Sequence, residues 1–401
     1  MRKISRPKYF NKMVNLLGSE QIKVLTGVKG SGKTELLKDL IEYLGINSET
    51  TNIIYISFDL VDYDNLKRKT ALKRYINNSY IEGRMNFVIL DEVQRADSFV
   101  DSLEELHKDG RFQVYAAASC DILANPEVSD RLSTIIEQIK VYPFSYKEYL
   151  EFYNIDVTEE KLYTILDGYI RNGGLASSYN FSALTQRYNV VEKEIFNQSI
   201  MKEIMEVHNI KNRTILYGTV NYLYNNIGEV TSGGEISNYL VSKGATSDNK
   251  TVSKYINYLK ASCLVNEVLR FDLRKQTLLA KENKYYVVDL MFKYAHSSSQ
   301  ELERKKIFED LVVTQLLRRG AKVLSAQLYQ EDFGFLVEEE GKKYYVAVCP
   351  LSDAETLEKE GEKLLRIKDN YPKTILTRTY KPKQDYKGID IVDLGEWLYN
   401  N

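Results

Sequence analysis

Proline, cysteine and histidine are all scarce in this sequence of 401 residues, and each shortage closes off a class of explanation. Six prolines argue against a long disordered linker. The three cysteines, Cys120, Cys263 and Cys349, lie far apart and match neither a disulfide framework nor metal-ligand spacing, so they read as buried or incidental thiols. His107, His208 and His296 likewise have no companion at ligand spacing, which argues against a zinc site. No apolar run approaches the roughly 20 residues that span a bilayer, and the N-terminus lacks the apolar core of a secretory signal. The expected location is therefore cytoplasmic, with no membrane partner. A formal net charge of −1 supplies no global field for nucleic acid, so DNA contact needs a local basic surface. Arg2, Lys3, Arg6, Lys8 and Lys12 form one such stretch, although a basic N-terminal tail is more often merely solvated.

What is present is an ordinary globular composition, 43% hydrophobic and 28% charged, in a chain long enough for two or three cores. The first third alternates short β-rich runs, at 21–26, 52–57, 86–91, 112–119 and 135–141, with longer helical stretches, the pattern of an α/β domain with a mostly parallel sheet. From about 144 to 224 the pattern turns helical, with apolar residues at three and four spacing in 146–153 and 192–205 and a Gly173-Gly174 turn. Residues 214–290 read as helix, Gly233-Gly234 turn, helix, Gly244 turn, helix and hairpin, the order of a winged helix. From Arg304 follow a helix, strands near 322–325, 332–338 and 343–349, a helix over 354–368, and strands near 374–377 and 389–392. The expected division is thus 1–145, 146–212, 213–300 and 301–401.

The apolar run Ile22-Lys23-Val24-Leu25-Thr26 leads into Gly27-Val28-Lys29-Gly30-Ser31-Gly32-Lys33-Thr34 and then into a helical stretch, the strand, loop and helix order of a P-loop. Gly27, Gly30 and Gly32 let successive backbone N–H groups face a polyphosphate, and the helix N-terminus adds its positive end. Lys33 is expected on the β- and γ-phosphates and the Thr34 hydroxyl on Mg²⁺. About 55 residues on, Phe87-Val88-Ile89-Leu90-Asp91-Glu92 is an apolar strand ending in two acids, the Walker B pattern. Asp91 is expected to hold Mg²⁺ through water, and Glu92 to orient or deprotonate the attacking water. Ser119, ending the neighbouring strand, is the candidate polar contact to the γ-phosphate, with a helix cap as its alternative. Arg131 and Arg95 are the candidates for stabilising transition-state charge.

These residues resemble a family of bacterial and archaeal AAA-type ATP-binding proteins that join a P-loop ATPase to a C-terminal winged-helix and endonuclease-like half. The resemblance rests on Gly27–Thr34, on Leu90-Asp91-Glu92-Val93-Gln94, on the block Tyr142-Pro143-Phe144-Ser145-Tyr146-Lys147-Glu148-Tyr149-Leu150, and on Gly173-Gly174-Leu175, and it covers nearly the whole chain. It implies an AAA-like parallel-sheet domain, then a helical and winged-helix region, then a restriction-endonuclease-like α/β domain, with ATP and Mg²⁺ as ligands. The chain departs from the family where Gly-Ser becomes Ala118-Ser119, Gly-Arg becomes Asp130-Arg131, and Gly-Gly-x-Pro ends in Ala176.

In the helix over 249–259 the apolar residues share one face, and Lys250, Ser253, Lys254 and Asn257 the other, as in a recognition helix. The following hairpin carries Arg270, Arg274, Lys275, Lys281 and Lys284 for phosphate contacts, diluted by Glu267, Asp272 and Glu282. Duplex DNA and a protein partner both remain open for this module. The last unit resembles the restriction-endonuclease fold, with Glu309 and Asp332 at acid positions. The next strand carries Ala347 and Cys349 where an acid or glutamine and a lysine would hold metal and activate water, so nuclease activity is not expected. The leading expectation is ATP hydrolysis; the alternative is a non-hydrolysing, nucleotide-dependent DNA- or protein-binding scaffold.

Overall fold

The structure is a computed structural model and describes residues 4–46, 49–279, 282–296, 303–329, 331–379 and 383–401. Arg2, Lys3 and Lys281, three of the basic candidates, lie outside the described residues. The chain forms two compact units: one runs through Tyr142 and is completed by Ala261–Cys263, and the other comprises Pro143–Lys260 and Leu264–Asn401.

The first unit contains α1 (Pro7–Asn15), β1 (Ile22–Thr26), α2 (Lys33–Gly45), β2 (Thr51–Ser57), α3 (Lys69–Asn78), β3 (Met85–Asp91), α4 (Phe99–Asp109), β4 (Phe112–Ala118), α5 (Pro126–Leu132) and β5 (Ile136–Lys140). All five strands are parallel, in the order β2-β3-β4-β1-β5. Each falls within a residue or so of the run expected from the sequence. Such a sheet needs cover on both faces. Val24, Ile56, Val88 and Ala116 face a core made with Leu72 and Ile76 of α3 and Leu103 and Leu106 of α4. Leu25, Ile89, Tyr115 and Ile139 face another, made with Tyr9 and Met13 of α1 and Leu36, Leu37 and Leu40 of α2. The strand order sets β4 between β1 and β3. Loops leaving the carboxyl ends of these three strands are therefore neighbours, at the end of an open α/β sheet where ligands bind.

The second unit opens with α6 (Tyr146–Tyr153), α7 (Glu159–Asn172) and α8 (Leu184–Val190), which continues through π-wound turns (Val191–Met201) into α9 (Lys202–Val207). The block Pro143–Leu150 has a concrete local purpose: Ser145 and Glu148 form a capping box, with Ser145 Oγ accepting from the Glu148 N–H at 3.2 Å and Glu148 Oε2 accepting from the Ser145 N–H at 2.8 Å. Next come α10 (Arg213–Asn225), β6 (Val230–Thr231), α11 (Gly233–Ser242), α12 (Asn249–Ala261), β7 (Val265–Asp272), β8 (Thr277–Leu278), β9 (Asn283–Val287) and α13 (Leu290–His296). The chain closes with α14 (Arg304–Arg319), β10 (Lys322–Leu328), β11 (Glu331–Glu339), β12 (Lys342–Val348), α15 (Ala354–Leu365), β13 (Lys373–Thr377), β14 (Gln384–Tyr386), β15 (Ile389–Asp393) and α16 (Leu394–Asn400).

The expected boundary at 300/301 runs through one continuous ten-stranded sheet. Strand β7 pairs antiparallel with β9 on one edge and parallel with β10 on the other, with Leu269 opposite Leu324. The hairpin expected to be a wing thus shares its sheet with the C-terminal strands, and both stretches lie in the same compact unit.

Candidate nucleotide site

The loop between β1 and α2 is held open by glycine geometry. Gly27, Gly30 and Gly32 have φ of 147°, 87° and 98°, the left-handed region that side chains rarely adopt. A Cβ on Gly27 would stand 2.2 Å from the Val141 carbonyl oxygen, so the loop also needs glycine there for space. From outside the loop, Arg6, only 5% exposed, donates from Nη1 to the Ser31 carbonyl at 2.9 Å and from Nη2 to the Tyr142 carbonyl at 2.8 Å. This is the residue the sequence reading passed over as part of a solvated tail.

Within the loop, Lys33 is buried and its ammonium donates to the Gly27 and Val28 carbonyls at 2.9 and 3.1 Å. Burial holds its pKa below the ordinary lysine value. Thr34 Oγ1, at the start of α2, donates to Asp91 Oδ2 at 2.9 Å, and Tyr55 OH reaches the same oxygen at 3.3 Å. Asp91 Oδ1 is buried with no hydrogen-bond partner, and burial, reinforced by the neighbouring Glu92 charge, raises the Asp91 pKa. Ser31 Oγ is a second buried polar atom with no partner. A hydroxyl and a carboxylate side by side, one carboxylate oxygen unused, fit an octahedral Mg²⁺ that keeps several waters; the Ser31 hydroxyl and the loop N–H groups fit a polyphosphate.

Glu92 follows Asp91 in the left-handed region, φ 55°. Its carboxylate is 3% exposed and has three donors: Ser119 Oγ at 2.7 Å and Lys29 Nζ at 2.9 Å to Oε1, and Gln94 Nε2 at 2.7 Å to Oε2. Burial pushes its pKa up, but Lys33, Lys29, Ser119 and Gln94 together outweigh burial and bring it down to about 2. Lys29 also pairs with Asp59, and Arg95 binds the other oxygen of Asp59 at 2.7 Å. The Lys29 pKa is pulled down by burial and raised on balance by Glu92 and Asp59. Ser119 is not the cap of the next helical turn; Asp121 is, accepting from the Leu123 N–H.

Lys29, Lys33, Thr34, Asp91, Glu92 and Ser119 therefore converge at the carboxyl ends of β1, β3 and β4. Arg131 does not join them. It lies on α5 with its guanidinium on Glu104, at 3.0 and 2.8 Å, and on Asp101 at 2.6 Å, both carboxylates of α4.

The DNA candidates divide. Lys250, Lys254 and Asn257 are exposed on α12, and Arg274 is exposed in the β7–β8 turn. Ser253 instead packs against the first turn of α11, where a Cβ on Gly233 would stand 2.2 Å from its Oγ. Arg270 is engaged by Glu282 at 3.1 Å and Gln327 at 2.6 Å, which ties β7 to β10. Of the nuclease candidates, Glu309 is buried on α14 beside Tyr286, whose hydroxyl lies 3.2 Å away. Asp332 on β11 is ion-paired with the buried Lys284 of β9. Ala347 and Cys349 are buried at β12 and just past its end. Among the described residues no group of three or more metal-ligating side chains occurs, and no helix is long and apolar enough to cross a membrane.

Residues 19–150 match the model of an AAA domain. Residues 163–302 match a domain of unknown function, DUF8612. Along nearly its whole length, 98% of both chains, the sequence is 27% identical to an uncharacterized protein of Haemophilus influenzae. It is 25% identical to an uncharacterized protein of Methanocaldococcus jannaschii, over 79% of this chain and 71% of that one. Among solved structures, the Walker-type ATPase of Pyrococcus abyssi aligns with 73% of this chain and 95% of its own, at 14% identity and a TM-score of 0.45. AMPPCP-bound DnaA from Aquifex aeolicus aligns with 63% of this chain and 86% of its own, at 16% identity and a TM-score of 0.31.

Proposed function

We propose that the chain is a Mg²⁺-dependent ATPase whose nucleotide state acts on the half of the chain that carries α12. The observation that carries this reading is the meeting of three strand ends: the Thr34–Asp91 pair with its unused carboxylate oxygen, and Glu92 held by Ser119. Gly27–Thr34 would wrap the phosphates, Lys33 would exchange its backbone carbonyls for β- and γ-phosphate oxygens, and Thr34 and Asp91 would hold the metal. Bound Mg²⁺ supplies charge neutralisation on the phosphate oxygens. Glu92 orients the attacking water and accepts its proton; Ser119 keeps the Glu92 carboxylate on that line. Arg95, two bonded neighbours from Glu92 through Asp59 and Lys29, is a better placed cation than Arg131.

For the second half, the exposed Lys250, Lys254, Asn257 and Arg274 support contact with duplex DNA or with an acidic protein partner. A structural or binding role is the better reading of the endonuclease-like strands, because Lys284 already neutralises Asp332. A nucleotide-dependent scaffold that does not hydrolyse ATP is the second reading, and the three donors already on the Glu92 carboxylate, Ser119, Lys29 and Gln94, favour it, since a carboxylate so well satisfied is a poor proton acceptor.

Steady-state phosphate release from Mg·ATP by the wild type and by Glu92→Gln, with and without duplex DNA, separates the two. The ATPase reading expects turnover that falls at least 100-fold in Glu92→Gln while ATP binding persists. Tight ATP binding with no turnover in any condition favours the scaffold.

A further inference from the structure

Lys29 is the one P-loop ammonium, among the described residues, that is ion-paired with carboxylates, and one of those carboxylates is the proposed base. Lys33, by contrast, rests on two neutral carbonyls and can leave them without breaking an ion pair. Lys29 is rooted between Gly27 and Gly30, in the stretch whose backbone is shaped to surround a phosphate chain. A terminal phosphate with close to two negative charges near neutral pH is a stronger partner for an ammonium than either the Glu92 or the Asp59 monoanion.

We propose that Lys29 reads the γ-phosphate: without one its ammonium clamps Glu92, and a γ-phosphate takes that ammonium over and releases the Glu92 carboxylate to serve as base. This rests on the ATPase reading and adds a control to it. In the released state the water oxygen forms a new bond to the γ-phosphorus. The bond from that phosphorus to the β,γ-bridging oxygen breaks, its electron pair leaving with ADP, and the water proton passes to Glu92 Oε1 and then to the released phosphate or solvent. With ADP bound there is no γ-phosphate, Lys29 stays on Glu92, and the base stays silent. The cations around Glu92 are Lys29 and Lys33, with Arg95 beyond Asp59; Asp91 is the neighbouring anion.

The test is a pair of binding titrations with Mg²⁺, one with ADP and one with the non-hydrolysable β,γ-methylene analogue of ATP, on the full chain and on Lys29→Met, Lys29→Arg and Asp59→Asn. The wild type is expected to prefer the triphosphate by about tenfold or more, equivalent to ~1.4 kcal/mol. Lys29→Met should bring that preference close to parity, triphosphate affinity falling much further than ADP affinity, and Lys29→Arg should restore most of it. Asp59→Asn removes a competitor for the ammonium and should raise triphosphate affinity a few-fold without moving ADP, which keeps the test decisive if Lys29→Met melts too low to study. Equal loss of ADP and triphosphate affinity in Lys29→Met would make Lys29 a general phosphate anchor and overturn the clamp, as would an unchanged preference. A wild type that binds neither nucleotide would overturn the ATPase reading itself, whereas a wild type that binds both and ignores Lys29 overturns only the clamp.

Discussion

Arg6 holds the P-loop from a position 25 residues before the Ser31 it binds, by two charge-assisted bonds to the Ser31 and Tyr142 carbonyls while its guanidinium lies 4.5 Å from the centre of the Tyr9 ring. Arg6→Ala leaves two buried carbonyls without these donors, at a cost on the order of 1–3 kcal/mol. The expected result is a lower melting temperature and ADP affinity reduced several-fold, read by thermal unfolding with and without Mg·ADP; an unchanged affinity would mean the loop keeps its shape unaided. Glu92 illustrates what was and was not legible at this scale. Its identity as the acid after an apolar strand is a local pattern, readable from Phe87 to Glu92. Its partners Lys29, Ser119 and Gln94 come from three segments, and only the folded sheet order places β4, and with it Ser119, beside β3. Arg131 is the reverse case: the sequence supplied a cation after β4, and the α4 carboxylates Asp101 and Glu104, unremarked in a helical stretch, hold it.

At the scale of elements, the Gly173-Gly174 turn and the Pro143–Leu150 block meet each other. Phe144 donates its N–H to the Gly174 carbonyl at 2.6 Å, and a Cβ on Gly174 would stand 2.2 Å from the Phe144 carbonyl oxygen. Gly174→Ala should therefore destabilise the second unit by about 2 kcal/mol or more through a backbone clash, with loss of the slowest-exchanging amides of α6 and α7 as the readout. The same turn is held by Asp289, whose carboxylate accepts the Gly174 N–H at 2.6 Å and the Met291 N–H at 2.8 Å. Burial pushes the Asp289 pKa up to about 6, against two backbone bonds and Arg318 that favour the anion. A folded pKa above the unfolded one means that the folded chain binds the extra proton, so this contribution to stability is full below about pH 4 and is lost as pH rises through 6. Relative to Asp289→Asn, the wild type should lose on the order of 2 kcal/mol between pH 4 and pH 7, measured by denaturant unfolding at each pH. The glycine pair was read as a turn in the sequence; the capping box, its contact with that turn, and the acid that closes it from more than a hundred residues downstream were not, because no local period encodes them.

For the molecule as a whole, strand and helix existence was largely legible and partition was not. The pairing of β7 with β10 fuses what reads as a separate winged helix into the C-terminal sheet, and parallel pairing across such a separation leaves no local signature. The partition carries its own prediction. Ala261–Cys263 belong to the first unit although both flanking stretches belong to the second, with the Asp121 N–H bonded to the Ala261 carbonyl at 2.7 Å. Cys263 is 4% exposed and burial pushes its thiol pKa up to about 11, whereas Cys120 is partly exposed. At pH 8 a maleimide should label Cys120 first, and Cys263 should become reactive when the first unit unfolds, its label appearing by mass spectrometry with loss of the nucleotide site. Labelling of Cys263 in step with the second unit alone would contradict this assignment. The interrupted unit also imposes an order on biosynthesis. A ribosome that has finished Tyr142 must add a further 121 residues (263 − 142) before the last piece of the first unit exists. At elongation rates of about 5–20 residues per second that is roughly 6–24 s in which the five strands of the sheet are made but the segment whose Ala261 carbonyl accepts the Asp121 N–H is not.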